Sequence, residues 1–172
     1  MSAFRLFGKS AAIEAADRIL LAVSQAARDP DLYGEDRAPD TLTGRFELMT
    51  AFAAIALLRL KTAPDADRVS QVFTDRLFRH FDAGLRESGV GDLSVAKRMK
   101  ALAGAFYGRI GAYGAALGDA PALAAALSRN VWNADAAPFA PTLAARLGGV
   151  HARFAATPPQ ALEDPSAWAP EG

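Results

Sequence analysis

Between Val95 and Leu117 the apolar residues Val95, Met99, Leu102, Phe106, Ile110, Tyr113 and Leu117 recur at steps of four, three, four, four, three and four. An α-helix advances about 100° per residue, so these side chains fall within about 80° of one another, on one face. The same spacing returns in Ile13, Ala16, Leu20, Val23 and Ala27, and again in Leu42, Phe46, Met49, Ala53, Leu57 and Leu60. It continues in Val69, Val72, Phe73, Leu77, Phe81 and Leu85, and in two shorter runs, Leu123, Leu127, Val131 and Leu143, Leu147, Val150, Phe154. The period-two alternation of a half-buried strand is not found. The chain is therefore predicted to be all-α, a single-domain bundle of about six helices with an irregular C-terminal tail.

The breaks fit this division. Pro30, Gly34 and Pro39 interrupt RDPDLYGEDRAPD, two glycines interrupt ESGVGD, and NADAAPFAP is a loop. Asp40 or Thr41 is placed to cap the second helix, and Asp92 or Ser94 the fourth. Pro64 is expected in the first turn of the third helix, with Asp65 and Asp67 near its positive end. Pro121 and Pro141 open the last two helices. Leu48 to Leu58 is apolar on nearly all sides, which puts the second helix at the centre of the core. The helical domain is expected to span 1–155. Residues 156–172, ATPPQALEDPSAWAPEG, carry four prolines and read as a flexible tail, with Trp168 able to fold back.

Composition narrows the function classes. The 172 residues are 51% hydrophobic and 22% charged, which suits one globular domain. Basic and acidic residues balance at 19 each, so no global field draws the chain to DNA. There is no cysteine, which removes disulfides and thiolate chemistry together. The longest apolar run, Met49 to Leu58, is far short of the ~20 residues that span a bilayer. With Glu14 and Asp17 interrupting the N-terminal segment, a cytoplasmic protein is expected, peripheral at most to the inner membrane.

Catalytic patterns are missing. GKS at 8–10 resembles the end of a phosphate-binding loop, but Ala3 stands at the position of the required earlier glycine. His80 and His151 lie in different helices without ligand spacing, so no metal and no cofactor is expected. Asp75, Asp82 and Glu87 follow one helix as a solvated face. No catalytic residue is assigned.

The fourth helix is unusual on the side away from its apolar face. That side begins with Lys97 and Lys100, then becomes Gly104, Gly108, Gly111, Ala115 and Gly118. An interior glycine costs a helix roughly 1 kcal/mol against alanine. A row of them implies close approach by another backbone. Two occupants remain open at this point: a helix of the same chain, or a helix of another protein. Lys97, Arg98 and Lys100 sit at the helix end that favours negative charge, so their use lies outside the helix. Arg109 falls about 20° from Arg98, three turns on, and Tyr107 projects from the flank. The candidate partner-binding set is Lys97, Arg98, Lys100, Gly104, Tyr107, Gly108, Arg109 and Gly111.

GVGDLSVAKRMKALAGAFYGR at 89–109 resembles the long motif of the ubiquinol–cytochrome c chaperone family. DLY at 31–33, PDTLTGRFELM at 39–49 and RNVW at 129–132 fit the same family in order, so the resemblance covers roughly Ser10 to Trp132. By position the motifs fall on Gly89, Gly91, Asp92, Leu93, Lys97, Phe106, Tyr107, Gly108 and Arg109, and on Asp40, Gly44, Arg45 and Phe46. The resemblance implies an all-α, non-catalytic assembly chaperone for ubiquinol–cytochrome c reductase (complex III), with cytochrome b as client and a ribosome or membrane-surface contact. Ala96 stands where many relatives carry proline, which alters the start of the helix. Without a long import extension the chain is similar to the bacterial form. The alternative function is a helical carrier of a hydrophobic small molecule such as haem or quinone.

Overall fold

The computed structural model describes residues 9–64 and 66–170. Six α-helices run in chain order: α1 Lys9–Ala27, α2 Leu42–Lys61, α3 Asp67–Glu87, α4 Asp92–Ala116, α5 Ala120–Val131 and α6 Ala140–Ala155. Short 3-10 turns follow at Pro30–Leu32, Pro159–Glu163 and Pro165–Trp168. Among the described residues there is no strand, only an isolated bridge between Tyr33 and Ala38.

α2 is the axis of the bundle. It touches each of the other five helices, and every residue from Phe46 to Ala56 is buried. Its alanines leave room for neighbours on all sides, which is why it lacks a solvent face. The helix starts where Thr41 accepts the Gly44 N–H at 3.1 Å. Gly44 is required there, because a Cβ would lie 2.0 Å from the Pro39 carbonyl oxygen. α1 packs against α2 and α3. Its buried face is set by Ala12, Ala15, Ala16, Ile19, Ala22 and Val23, while Ile13 and Leu20 are only partly covered. The face is rotated toward the alanines, where helices approach more closely than the larger residues would permit.

Two helix starts differ from expectation. α3 begins at Asp67, so Pro64 lies in the preceding turn rather than the first helical turn; Asp65 lies outside the described residues. At α4 the N-cap is Gly91, and neither Asp92 nor Ser94 caps it. Asp92 sits instead in the first turn and accepts from Arg86, which also holds Asp82. The α3–α4 corner closes α3 with Val90 N–H on the Leu85 carbonyl and Gly89 N–H on that of Arg86. Gly89 takes φ of 78°, the left-handed value this helix ending requires.

The segment read as a flexible tail from 156 is docked on the bundle. Trp168 is 1% exposed, with its ring 4.7 Å from Phe154 and 6.3 Å from Phe52. Its indole N–H donates to the Leu162 carbonyl at 3.0 Å. Arg59 donates to the carbonyls of Phe154 and Thr157, and Arg18 pairs with Glu163 at 2.6 Å. The prolines fix φ for two tight turns, and one indole buries enough apolar area to hold them. The packed body therefore runs past 155.

Candidate docking surface

α4 lies at the edge of the bundle. On its inner face Val95, Phe106 and Tyr113 are buried, whereas Met99, Leu102, Ile110 and Leu117 are only partly covered. Phe106 anchors the helix in an aromatic cluster with Phe46, Phe78 and Phe81; Phe46 and Phe81 are 4.9 Å apart, Phe78 and Phe106 5.3 Å. Tyr107 stacks on Phe78 at 6.3 Å yet stays 61% exposed.

The outer face is open. Gly104, Gly108, Gly111 and Gly118 are exposed, and a Cβ built on any of them meets nothing within 4 Å. Ala112 and Ala115 are exposed beside them, as are Lys97 and Lys100 at the start of the stripe. Among the described residues no helix covers the row of glycines. The glycine that packs internally is Gly114, whose Cβ would come 3.1 Å from the Leu58 side chain. It sits on the flank of the stripe, about 80° from Gly104, and spacing alone could not separate it from its neighbours.

The eight candidate residues divide between two surfaces. Lys97, Lys100, Gly104, Gly108 and Gly111 share the outer face, with Tyr107 on its flank against Phe78 of α3, while Arg98 and Arg109 line a cleft of about 860 Å³. This cleft lies between the N-terminal half of α2, the C-terminal half of α3 and α4. It gathers motif residues far apart in sequence. Asp40, Arg45 and Phe46 of the second motif line it opposite Arg98 and Arg109 of the long one, with Tyr33 alongside. Asp40 and Arg45 pair at 2.6 Å on its rim. The Tyr33 hydroxyl donates to the Ala27 carbonyl at 2.6 Å, and burial pushes its pKa up to about 12. Gly89, Gly91 and Asp92 build the corner leading into α4; the side chain of Leu93 lies outside the described residues.

Arg109 has a partner that periodicity could not reveal. Its guanidinium grips Glu47 of α2 in a two-pronged pair, with Nη2 at 2.5 Å from Oε1. Glu47 is 2% exposed in the middle of the most apolar helix. Burial pushes its carboxyl above the ordinary range, and Arg109 pulls it part of the way back. A lone glutamate in the run GRFELMTAFAA, matched by an arginine on another helix, was the only signal for this pair. His80 also lines the cleft, and burial lowers its pKa, so it is neutral at pH 7. No cluster able to hold a metal occurs among the described residues.

What these elements define is an all-α protein with a buried central helix and an edge helix whose outer side is bare among the described residues. Residues 36–167 match the family model described as ubiquinol-cytochrome C chaperone. That match covers most of the chain, and the protein belongs to this family. It is also similar to a solved structure titled as the Cbp3 homolog from Brucella abortus, with 40% identity over 90% of this chain and 88% of that one, and a TM-score of 0.78. No curated protein matches. The fourth motif has a structural use as well: the Trp132 indole donates to the Arg37 carbonyl at 3.0 Å, tying the end of α5 to the loop after Tyr33.

Proposed function

We propose that this chain is a non-catalytic assembly chaperone for complex III, and that its client is cytochrome b or its precursor, held as an apolar helix against the outer face of α4. The observation that carries the reading is the exposed row Gly104, Gly108 and Gly111 within the longest family motif. Each glycine costs the helix roughly 1 kcal/mol, and nothing among the described residues uses the space they free. A transmembrane helix rich in small residues recovers that cost by close backbone approach. Tyr107 supplies an aromatic edge to the same face, and Lys97 and Lys100 supply charge at its start for lipid phosphates or ribosomal RNA. Among the described residues no helix is long and apolar enough to cross a membrane. The proposed meeting with the client is at the cytoplasmic face of the membrane.

Gly108→Leu tests the face directly. The position is open, so the variant should keep its helix content and melting temperature while losing capture of newly made cytochrome b. A folded variant that still captures the client would sink the proposed face. Deleting the gene and measuring mature cytochrome b and complex III activity tests the function itself; normal levels of both would overturn it.

A further inference from the structure

The cleft between α2, α3 and α4 exists because the helices facing it carry small residues. Ala83 and Gly84 of α3 and Ala101 and Ala105 of α4 all line it. Its lining also includes the buried Phe46 and Met49 and the partly covered Leu102. About 860 Å³ is within the range of small-molecule sites, which run from roughly 300 to 1,000 Å³. It is much larger than an inorganic anion needs.

The charges around it are unevenly committed. Asp40 holds Arg45, and Glu47 holds Arg109. Arg28, at the end of α1, and Arg98, on α4, line the same cleft and form no ion pair among the described residues. The one other charged residue on the lining, Glu87, is also unpaired, so the uncommitted charge is positive by one. His80 adds none at neutral pH.

We infer that this cleft is a binding site for an acyl-chain amphiphile with an anionic head, its chain lying on the small-residue walls and its head met by Arg98 or Arg28. A guanidinium offers two parallel N–H donors to the paired oxygens of a carboxylate or a phosphate. Walls built of alanine, glycine, leucine and methionine suit a flexible chain, which conforms to them without leaving voids. The inference does not depend on the client reading, since the cleft and the bare face are different sides of α4.

The test uses the purified full chain and 11-(dansylamino)undecanoic acid below its micellar concentration, followed by dansyl fluorescence. Saturable binding to one site is expected. The methyl ester should bind about tenfold more weakly, and lysophosphatidate should displace the probe, because both acid heads share the paired oxygens. Ala105→Trp fills the slot and should abolish binding; Arg98→Ala should weaken it about tenfold. Should Ala105→Trp fail to fold by circular dichroism, Ala101→Trp at the more exposed wall carries the same expectation. Gly108→Leu should leave binding unchanged, which separates this site from the client face. Equal affinity for acid and ester, or unaltered binding in a folded slot-filling variant, overturns the inference.

Discussion

α2 and α4 are similar in kind and opposite in use. Both are long, rich in small residues and poor in charge on much of their surface. In α2, Ala51, Ala53, Ala54 and Ala56 are buried against neighbours on every side. In α4, Gly104, Gly108, Gly111 and Ala115 face open space. A small residue thus has two distinct meanings in a helical bundle. Where a neighbour is present it sets the distance between helices; where none is present it keeps a surface bare at a cost in helix stability. The cost is the telling quantity, because a solvated face gains nothing from glycine.

Substitutions can break or sharpen this contrast. The largest effect should come at the start of α2: Gly44→Ala drives a Cβ into the Pro39 carbonyl, which only backbone movement relieves. A loss of about 3 kcal/mol or more is expected in urea unfolding. Arg109→Ala is next, since it strands the Glu47 carboxylate inside the bundle. A loss of about 3 kcal/mol is expected, and Glu47→Gln combined with it should recover part of that loss in a double-mutant cycle.

A matched pair then contrasts the helices themselves. Ala53→Leu overpacks α2 and should cost about 2 kcal/mol, whereas Gly108→Leu, with nothing in its way, should not lower thermal stability. Equal destabilisation by the two would erase the distinction drawn here. Gly104→Ala, Gly108→Ala and Gly111→Ala should each stabilise by about 1 kcal/mol, so the triple variant melts higher while capturing less client.

The smallest effect concerns pH. Burial holds Glu47 above its ordinary value of 4.5 despite Arg109. The native state then keeps this proton to higher pH than the unfolded chain does. Stability from this group is complete below 4.5 and declines as pH rises through the window up to its folded value. Asp29 slopes the other way: burial is outweighed by the Asp31 N–H and by Arg146, so its contribution is lost as pH falls below 3.8. Denaturation curves across the acid range should show the Glu47 slope, and Glu47→Gln should flatten it while leaving that of Asp29.

Much of this was legible in the residues. Helix number, the central place of α2 and the two-sided character of α4 all follow from periodicity, because side-chain direction in a helix is fixed by residue number. The motif residues were legible as a set, but not as a place. Tyr33, Asp40, Arg45, Arg98 and Arg109 converge on one cleft only because α2 and α4 pack side by side. Spacing also grouped Arg98 and Arg109 with the outer lysines, although they line the cleft, and it gave no way to match Glu47 with Arg109 across 62 positions. The docking of 159–168 was hidden for a related reason. Prolines remove periodicity, and the hold on that segment is a long-range one, Trp168 on Phe154 and Phe52.

The sequence by itself determined that this protein is a helical bundle and that one of its helices carries a row of glycines at a recurring cost. Only the tertiary structure decided what the row faces. Local chain geometry sets which residues share a side of α4, but whether that side is covered depends on where five other helices settle. They settle on α2, whose apolar surface is nearly complete, and among the described residues they leave the outer side of α4 uncovered.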